Sequence, residues 1–442
     1  MTARLFGTDG IRGAANSWPM TPETAMAVGR AVARFMTADG QSPPRILVGK
    51  DTRLSGDMLE SALCAGICAS GVDAIRVDVL PTPAVAYLTA MLKAGAGIMV
   101  SASHNPWTDN GIKIFSHKGH KLSPVQEAEL EALILSPEPM AAANPPVPGR
   151  VFHLMDAEEP YVECLSNITA VGSLSLVLDC ANGAAARVAP RLFPDARLLS
   201  ADPDGRNINE NCGSEHTEAL RAEVVKYRAD AGFAFDGDAD RLIAVDETGA
   251  PVTGDRIIAI CAGFMKSENL LKNNTVVSTV MSNIGLNRAL RDMGIYHVVT
   301  DVGDRHVTAA MLEKGASLGG EDSGHIVFSD YQTTGDGLLT ALMLCRIMNH
   351  TGKPLSELAA CMDVFPQVLI NVKVARKPDL ASVPEVWQVV RDVEARLGRE
   401  GRVLVRYSGT QPMCRVMVEG PSEDETRQCA GQIAKAVVQA LG

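Results

Sequence analysis

Short apolar runs along the chain alternate with longer stretches whose apolar positions recur at helical spacing. Thr21-Pro22 supplies an N-cap and a first-turn proline, and Ala25, Val28, Val32 and Phe35 follow on one face, predicting a helix that ends near Gly40. Ile46-Leu47-Val48-Gly49 reads as a buried strand, followed by polar Lys50-Asp51-Thr52-Arg53 and a helix carrying Met58, Leu63, Ile67 and Cys68. Ile75 to Leu80 is a second strand. After another apolar helix comes a third, Gly97 to Val100, which ends in the polar loop Ser101-Ala102-Ser103-His104-Asn105-Pro106.

The same order recurs twice. One copy runs from Leu176-Val177-Leu178-Asp179 to a strand at Gly232–Phe235, ending in Asp236-Gly237-Asp238-Ala239-Asp240-Arg241. The other runs from Val276–Val280 to Ala316–Gly319, ending in Gly320-Glu321-Asp322-Ser323-Gly324-His325. Alternating strands and helices predict α/β domains with parallel or mixed sheets covered on both faces. Ligands in such sheets bind at the carboxyl ends of strands, so three equivalent loops would line one cleft. The tail departs from this pattern: strand 368–374, helix 384–397, strands 403–406 and 414–418, and helix 424–441 predict a small α+β domain. The expected domains are 1–152, 153–253, 254–366 and 367–442, the first boundary marked by Asn144-Pro145-Pro146-Val147-Pro148.

Composition narrows the classes. Of 442 residues, 46% are hydrophobic and 21% charged, enough apolar material for several cores. The net charge of −11 argues against binding nucleic acid or anionic lipid through bulk charge, so an anionic substrate would need locally concentrated cations. Ten scattered cysteines without a CxxC pair read as free thiols of a cytoplasmic protein rather than a disulfide framework or zinc ribbon. No uncharged apolar stretch reaches 18 residues, so no membrane span is expected, and the opening Met1–Asp9 lacks a secretory apolar core.

Four segments carry candidate chemistry. Asp236, Asp238 and Asp240 place three carboxylates at alternate positions after an apolar strand. Such a cluster is costly without a counter-ion, and hard oxygen ligands suit Mg²⁺ or Ca²⁺. An EF-hand is excluded because Arg241 stands where that loop needs Gly and strands flank the segment. Ser101, Ser103, His104 and Asn105 lack a nucleophile elbow; taken alone they read as an ordinary Asn-Pro turn, with a phosphorylated serine as the alternative. Arg406-Tyr407-Ser408-Gly409-Thr410-Gln411, with Arg415 beyond, has the parts of a phosphate cradle, although a plain hairpin fits the spacing equally. Glu321 to His325 has the donor and acceptor density for a polyhydroxylated ligand, while in isolation a solvated polar loop is the simpler reading. No Walker or dinucleotide motif occurs.

Together, in this order and spacing, the four segments resemble the α-D-phosphohexomutases along essentially the whole chain. The opening Phe6-Gly7-Thr8-Asp9-Gly10-Ile11-Arg12-Gly13 is most similar to the bacterial branch working on glucosamine phosphates. The resemblance implies four domains around a central cleft, three of them related α/β units. It also implies interconversion of glucosamine 6-phosphate and glucosamine 1-phosphate through a bisphosphorylated sugar, feeding amino-sugar nucleotide and cell-wall synthesis. Ser103 would be the phosphoserine, and one Mg²⁺ would be held by Asp236, Asp238, Asp240 and the phosphoryl group. Glu321 and Ser323 would contact sugar hydroxyls. Arg406, Ser408, Gly409, Thr410 and Arg415 would bind the phosphate that is not reacting. Arg12, Lys113, Arg241 and His325 match positions lining the family's active site, with Lys113 or His325 as proton acceptor. By the same analogy the partner molecules are a sugar phosphate and a second copy of the chain. Asp322, Tyr407 and Gln411 depart from the usual Gln, Lys and Glu. The competing readings are a phosphomannomutase or phosphoglucomutase, a metal-dependent phosphatase, and a catalytically silent sensor.

Overall fold

Residues 5–7, 9–37, 45–136, 147–408 and 412–442 are described by the computed structural model. Gly40 and Asn144 to Pro146, singled out above as a helix end and a boundary, lie outside them. The chain divides into two units. The larger comprises 1–281 and 295–360; the smaller comprises 282–294 and 361–442.

Three sheets build the larger unit. The first contains β1 (Ile11–Ala14), β2 (Arg45–Lys50), β3 (Asp73–Val79), β4 (Ala96–Val100), β5 (Asp109–Ser116) and β6 (Val151–His153), in spatial order β1-β5-β4-β2-β3-β6. The second contains β7 (Leu176–Asp179), β8 (Arg197–Leu199), β9 (Ala231–Phe235), β10 (Leu242–Asp246) and β11 (Pro251–Val252), ordered β11-β10-β9-β7-β8. The third contains β12 (Thr275–Thr279), β13 (Tyr296–Thr300), β14 (Leu318–Gly320) and β15 (Ile326–Phe328), ordered β13-β12-β14-β15.

The same four-strand motif sits in all three: β3-β2-β4-β5, β8-β7-β9-β10 and β13-β12-β14-β15. In each, the first three strands are parallel and the fourth returns antiparallel to the third. The sheets are therefore mixed. Each chemistry-bearing loop is the reversal between the third and fourth strands, so the repeat delivers one loop per copy at an equivalent place.

The first core shows why these elements form. The helix Pro22–Thr37 buries Val28 and Val32 against Leu63 and Ile67 of helix Gly56–Ala69, over Ile46 and Val48 of β2. Among the described residues no helix is long and apolar enough to cross a membrane.

In the smaller unit, β16 (Gln367–Lys373), β17 (Arg402–Tyr407) and β18 (Met413–Glu419) form an antiparallel sheet ordered β16-β18-β17. Helices Pro384–Leu397 and Glu423–Leu441 bury Val390, Val393, Ile433 and Val437 with Val416 and Val418 of the sheet. Ser422 caps the last helix, and three acidic residues in its first turn complement the helix dipole.

One buried cap gives a pH-dependent expectation. Asp336 accepts the Leu339 amide at the start of helix Gly337–Thr351 and the Tyr161 hydroxyl at 2.8 Å. Burial pushes its carboxyl up to about 6, although these hydrogen bonds pull the other way. A raised folded value means that the contribution is fully present below the unfolded value and lost as pH rises through about 6. Asp336→Asn is thus expected to flatten the fall in stability across that window, as read by urea unfolding on both sides of it. An unchanged slope would mean that Asp336 is ionised throughout.

Candidate active site

The loop after β4 turns sharply at Ser103, whose φ of +55° is unusual for a residue with a side chain. Its amide donates to Ser101 Oγ at 2.9 Å. Its own Oγ donates to Asp236 Oδ2 at 2.5 Å, and His104 Nδ1 lies 3.4 Å from the same hydroxyl. Ser103 is buried, so this hydroxyl is committed to the acidic loop rather than to solvent.

The acidic loop follows β9. Asp236, Asp238 and Asp240 are all buried, and one carboxylate oxygen from each lies within 4.8 Å of the other two. The intervening Gly237 is required by close approach: a Cβ there would sit 2.6 Å from the Ser103 carbonyl oxygen. Burial, then the charges of Asp240 and Asp238, push the Asp236 carboxyl well above its usual range, and Arg241 and the Ser103 hydroxyl only partly oppose this. Asp240 is also penalised by burial, but Lys113, His325 and Arg241 hold it down to about 2.

Lys113 comes from the middle of β5. Its Nζ donates to Asp238 at 2.7 Å and Asp240 at 2.9 Å and lies 3.4 Å from Asp9. Burial works against its charge, yet these three carboxylates outweigh it and hold the ammonium well above its ordinary pKa. Asp238 Oδ2 also accepts the Thr82 hydroxyl at 2.5 Å. The second oxygens of Asp238 and Asp240 are buried and have no hydrogen-bond partner among the described residues. Two carboxylate oxygens without a hydrogen bond, one of them 3.9 Å from the Arg241 guanidinium, within a set of three hard oxygen donors, suit a divalent cation.

Around this floor lies a cavity of about 460 Å³, within the range of small-molecule sites. Asp9, Arg12, His104, Asp240, Arg241, Asp304, Glu321 and His325 line it. Arg12 pairs with Asp9 and donates to the Ala102 carbonyl at 3.3 Å. Glu321 accepts the Gly303 amide at 3.0 Å, tying the two loops of the third repeat together. His325 is buried, with Nε2 accepting the Gly335 amide at 3.2 Å and Nδ1 unpartnered. Ser323 is half-buried on the same loop.

Four groups at this site had no assignment from sequence. Lys121 bridges Asp9 and Asp304, which hold its ammonium up to about 12 against burial. Thr82 heads the helix Thr82–Met91 and has no motif around it. Asp9 lies within the opening motif, and Asp304 begins the helix Asp304–Lys314. Only proximity across the repeats reveals these roles.

In the smaller unit, Arg406 of β17 stands directly opposite Arg415 of β18. Burial, followed by the Arg415 charge, lowers the Arg406 pKa. Like charges facing across a strand pair are unfavourable unless an anion lies between them. The Ser408 amide donates to Met413, and Lys377, also unassigned from sequence, donates to the Ser408 carbonyl at 2.6 Å. Gly409, Thr410 and Gln411 lie outside the described residues.

Family models for phosphoglucomutase/phosphomannomutase match the chain in four successive pieces: the first, second and third alpha/beta/alpha domains at residues 3–139, 159–249 and 253–365, and the C-terminal domain at 369–436. A phosphoglucosamine mutase of Syntrophus aciditrophicus is 54% identical over 449 aligned residues, covering 99% of this chain and all of the relative. One from Syntrophobacter fumaroxidans is 51% identical, with 99% of each chain covered. Among solved structures, a phosphoglucomutase/phosphomannomutase family protein from Burkholderia thailandensis superposes with a TM-score of 0.81 at 26% identity, covering all of this chain and 98% of its own. Aspergillus fumigatus N-acetylphosphoglucosamine mutase, solved with GlcNAc-6P and magnesium, shares the fold at a TM-score of 0.71 and 20% identity, covering 99% and 96%.

Proposed function

The chain belongs to the phosphoglucomutase/phosphomannomutase family, and within it we propose that the chain is a phosphoglucosamine mutase, an isomerase interconverting glucosamine 6-phosphate and glucosamine 1-phosphate. Relatives of that name, half identical from end to end, support the choice of branch. The observation that carries the chemistry is the Ser103 hydroxyl seated against the buried Asp236–Asp238–Asp240 cluster.

In this reading Ser103 carries a phosphoryl group. The free hydroxyl of the bound sugar phosphate attacks phosphorus; a sugar O–P bond forms as the Ser103 Oγ–P bond breaks, giving a bisphosphorylated sugar. The sugar reverses within the site, and its other phosphoryl group returns to Ser103. Mg²⁺ held by Asp236, Asp238, Asp240 and Ser103 would neutralise charge on the transferring group. Three aspartates and a phosphoserine of about −2 still leave such a site near −3 with one Mg²⁺ bound, before any anionic substrate arrives. Lys113, Arg12 and Arg241 offset this excess locally, although the chain as a whole is anionic. Phosphoryl transfer is driven mainly by positioning and electrostatics, so this clamp is a large contribution.

Of the two proton acceptors suggested by sequence, the Lys113 ammonium is held charged by three carboxylates, and His325 takes the proton only when Nε2 releases the Gly335 amide. Glu321 and Ser323 serve the sugar hydroxyls. Arg406, Ser408, Gly409, Thr410 and Arg415 serve the phosphate that is not reacting. Ten free cysteines support a reducing compartment, and we place the enzyme in the cytoplasm.

The test compares turnover of glucosamine, glucose and mannose 6-phosphates while following inorganic phosphate. Preferential turnover of glucosamine 6-phosphate without phosphate release is expected. Faster turnover of either other sugar would move the chain to the phosphoglucomutase or phosphomannomutase branch, and phosphate release matching substrate loss would make it a phosphatase. Arg406→Ala is expected to raise KM about tenfold with a smaller change in kcat, because it removes a charge-assisted contact to a spectator phosphate. An unaltered KM would take Arg406 out of the cradle.

A further inference from the structure

The polar segment Lys50-Asp51-Thr52-Arg53 begins at the last residue of β2 and has no role in the chemistry above. We propose that Arg53 is a positioning residue for phosphoryl transfer: its guanidinium fixes the backbone of the Ser103 loop so that Oγ meets the acidic cluster. This rests on the mutase reading.

The guanidinium is fully buried and every donor it has is engaged. Nε donates to Asp51 Oδ2 at 2.8 Å. Nη1 donates to the carbonyls of Pro106 at 2.5 Å and Asp109 at 3.1 Å. Nη2 donates to the carbonyls of Ser103 and Asn105, both at 2.8 Å. Four of five donors therefore end on main-chain oxygens of the Ser103 loop and of the first residue of β5, and none is left for a phosphate. Arg53 acts through Ser103, not on substrate.

The other end of the pair completes the hold. Asp51 accepts the Arg53 amide at 3.0 Å and is hydrogen-bonded by the Ser101 side chain. Ser101 Oγ in turn accepts the Ser103 amide. Both backbone groups of Ser103 are thus tied, directly or through Ser101, to the Asp51–Arg53 pair. Asn209, from the second repeat, adds Nδ2 contacts to the same two carbonyls, Ser103 at 2.9 Å and Asn105 at 3.0 Å.

Such a hold is needed because a non-glycine residue at positive φ is strained and persists only where its surroundings over-determine it. Released, the loop would relax toward ordinary backbone angles and carry Oγ away from Asp236. Lysine cannot replace the fork, having three donors on a point charge instead of five in a plane.

The experiment measures single-turnover transfer of labelled phosphate from a hexose 1,6-bisphosphate to Ser103, together with kcat, KM and thermal unfolding, for wild type, Arg53→Lys and Asn209→Asp. Asn209→Asp replaces the bridging donor with an acceptor, and Asp tolerates the left-handed conformation that Asn209 adopts. It decides the matter if Arg53→Lys does not fold. For Arg53→Lys, transfer and kcat are expected to fall about 10²-fold, the cost of roughly 1 Å of misplacement, with KM within about threefold. Asn209→Asp should fall about tenfold in the same two quantities, since one of two holds remains. Wild-type transfer rates in the variants, or a loss confined to KM, would overturn the proposal. A wild-type protein that takes no label at Ser103 would instead overturn the mutase reading itself.

Discussion

Ser103→Ala is expected to abolish mutase turnover while leaving a folded protein. In the proposed reaction both phosphoryl transfers pass through one oxygen, so no partial pathway remains when it is removed. Deleting a nucleophile of this kind costs roughly 10⁴-fold or more in kcat, what remains reflecting binding and electrostatics alone. The fold should tolerate the change. Alanine keeps the backbone contacts that hold the turn, and the lost hydroxyl was donating to a carboxyl that burial already pushes toward its neutral form. The measurement is turnover of glucosamine 6-phosphate, paired with peptide mapping of label after incubation with radiolabelled sugar bisphosphate. Turnover within about tenfold of wild type would place the covalent step elsewhere.

The repeat was legible because its strands are short apolar runs bounded by polar loops, and burial on both faces makes such runs continuous. β5 escaped that logic. It reads Asp109-Asn110-Gly111-Ile112-Lys113-Ile114-Phe115-Ser116, and the lysine in its middle looks like an exposed strand position or a loop. In the fold that lysine is buried because three carboxylates, all distant in sequence except within the acidic loop, converge on it. β15, three residues long, carries too little pattern to be seen. Without these returning strands the alternation left parallel and mixed sheets both open, and the pairing shows that they are mixed.

The site divides along the same line. Residues clustered in one segment, such as Asp236 to Arg241 or Glu321 to His325, announce themselves by density. Thr82, Lys121 and Arg53 do not, because each works on a partner in another segment or another repeat. A single polar residue at the head of an apolar helix carries no spacing signal. Asp322 shows the converse: it departs from the family pattern, yet its carboxylate accepts the Asp255 amide and its carbonyl the Gly254 amide at the start of helix Gly254–Ser267.

Asp238→Asn is expected to cripple the response to Mg²⁺ more than it disturbs the fold. The carboxylate divides its labour: Oδ2 takes the Thr82 hydroxyl and the Lys113 ammonium, and Oδ1 is buried without a partner. An asparagine has one acceptor and one donor group for these two jobs. If its oxygen stays with Thr82 and Lys113, an N–H₂ points where a cation would sit; if it turns round, the N–H₂ meets two donors. Either way one hard anionic ligand is lost from the three. Removing a mere outer partner of a ligand already weakens metal binding by roughly 10–100-fold, so loss of the ligand itself should shift half-saturation by at least that much. Raising Mg²⁺ should recover only part of kcat, because Lys113 then balances less negative charge and the transferring group meets an altered field. Thr82→Val supplies the graded comparison: it keeps the carboxylate but frees it to swing, so the titration should shift in the same direction by less. Coincident Mg²⁺ titration curves for wild type and Asp238→Asn would show that the triad is not where the cation acts.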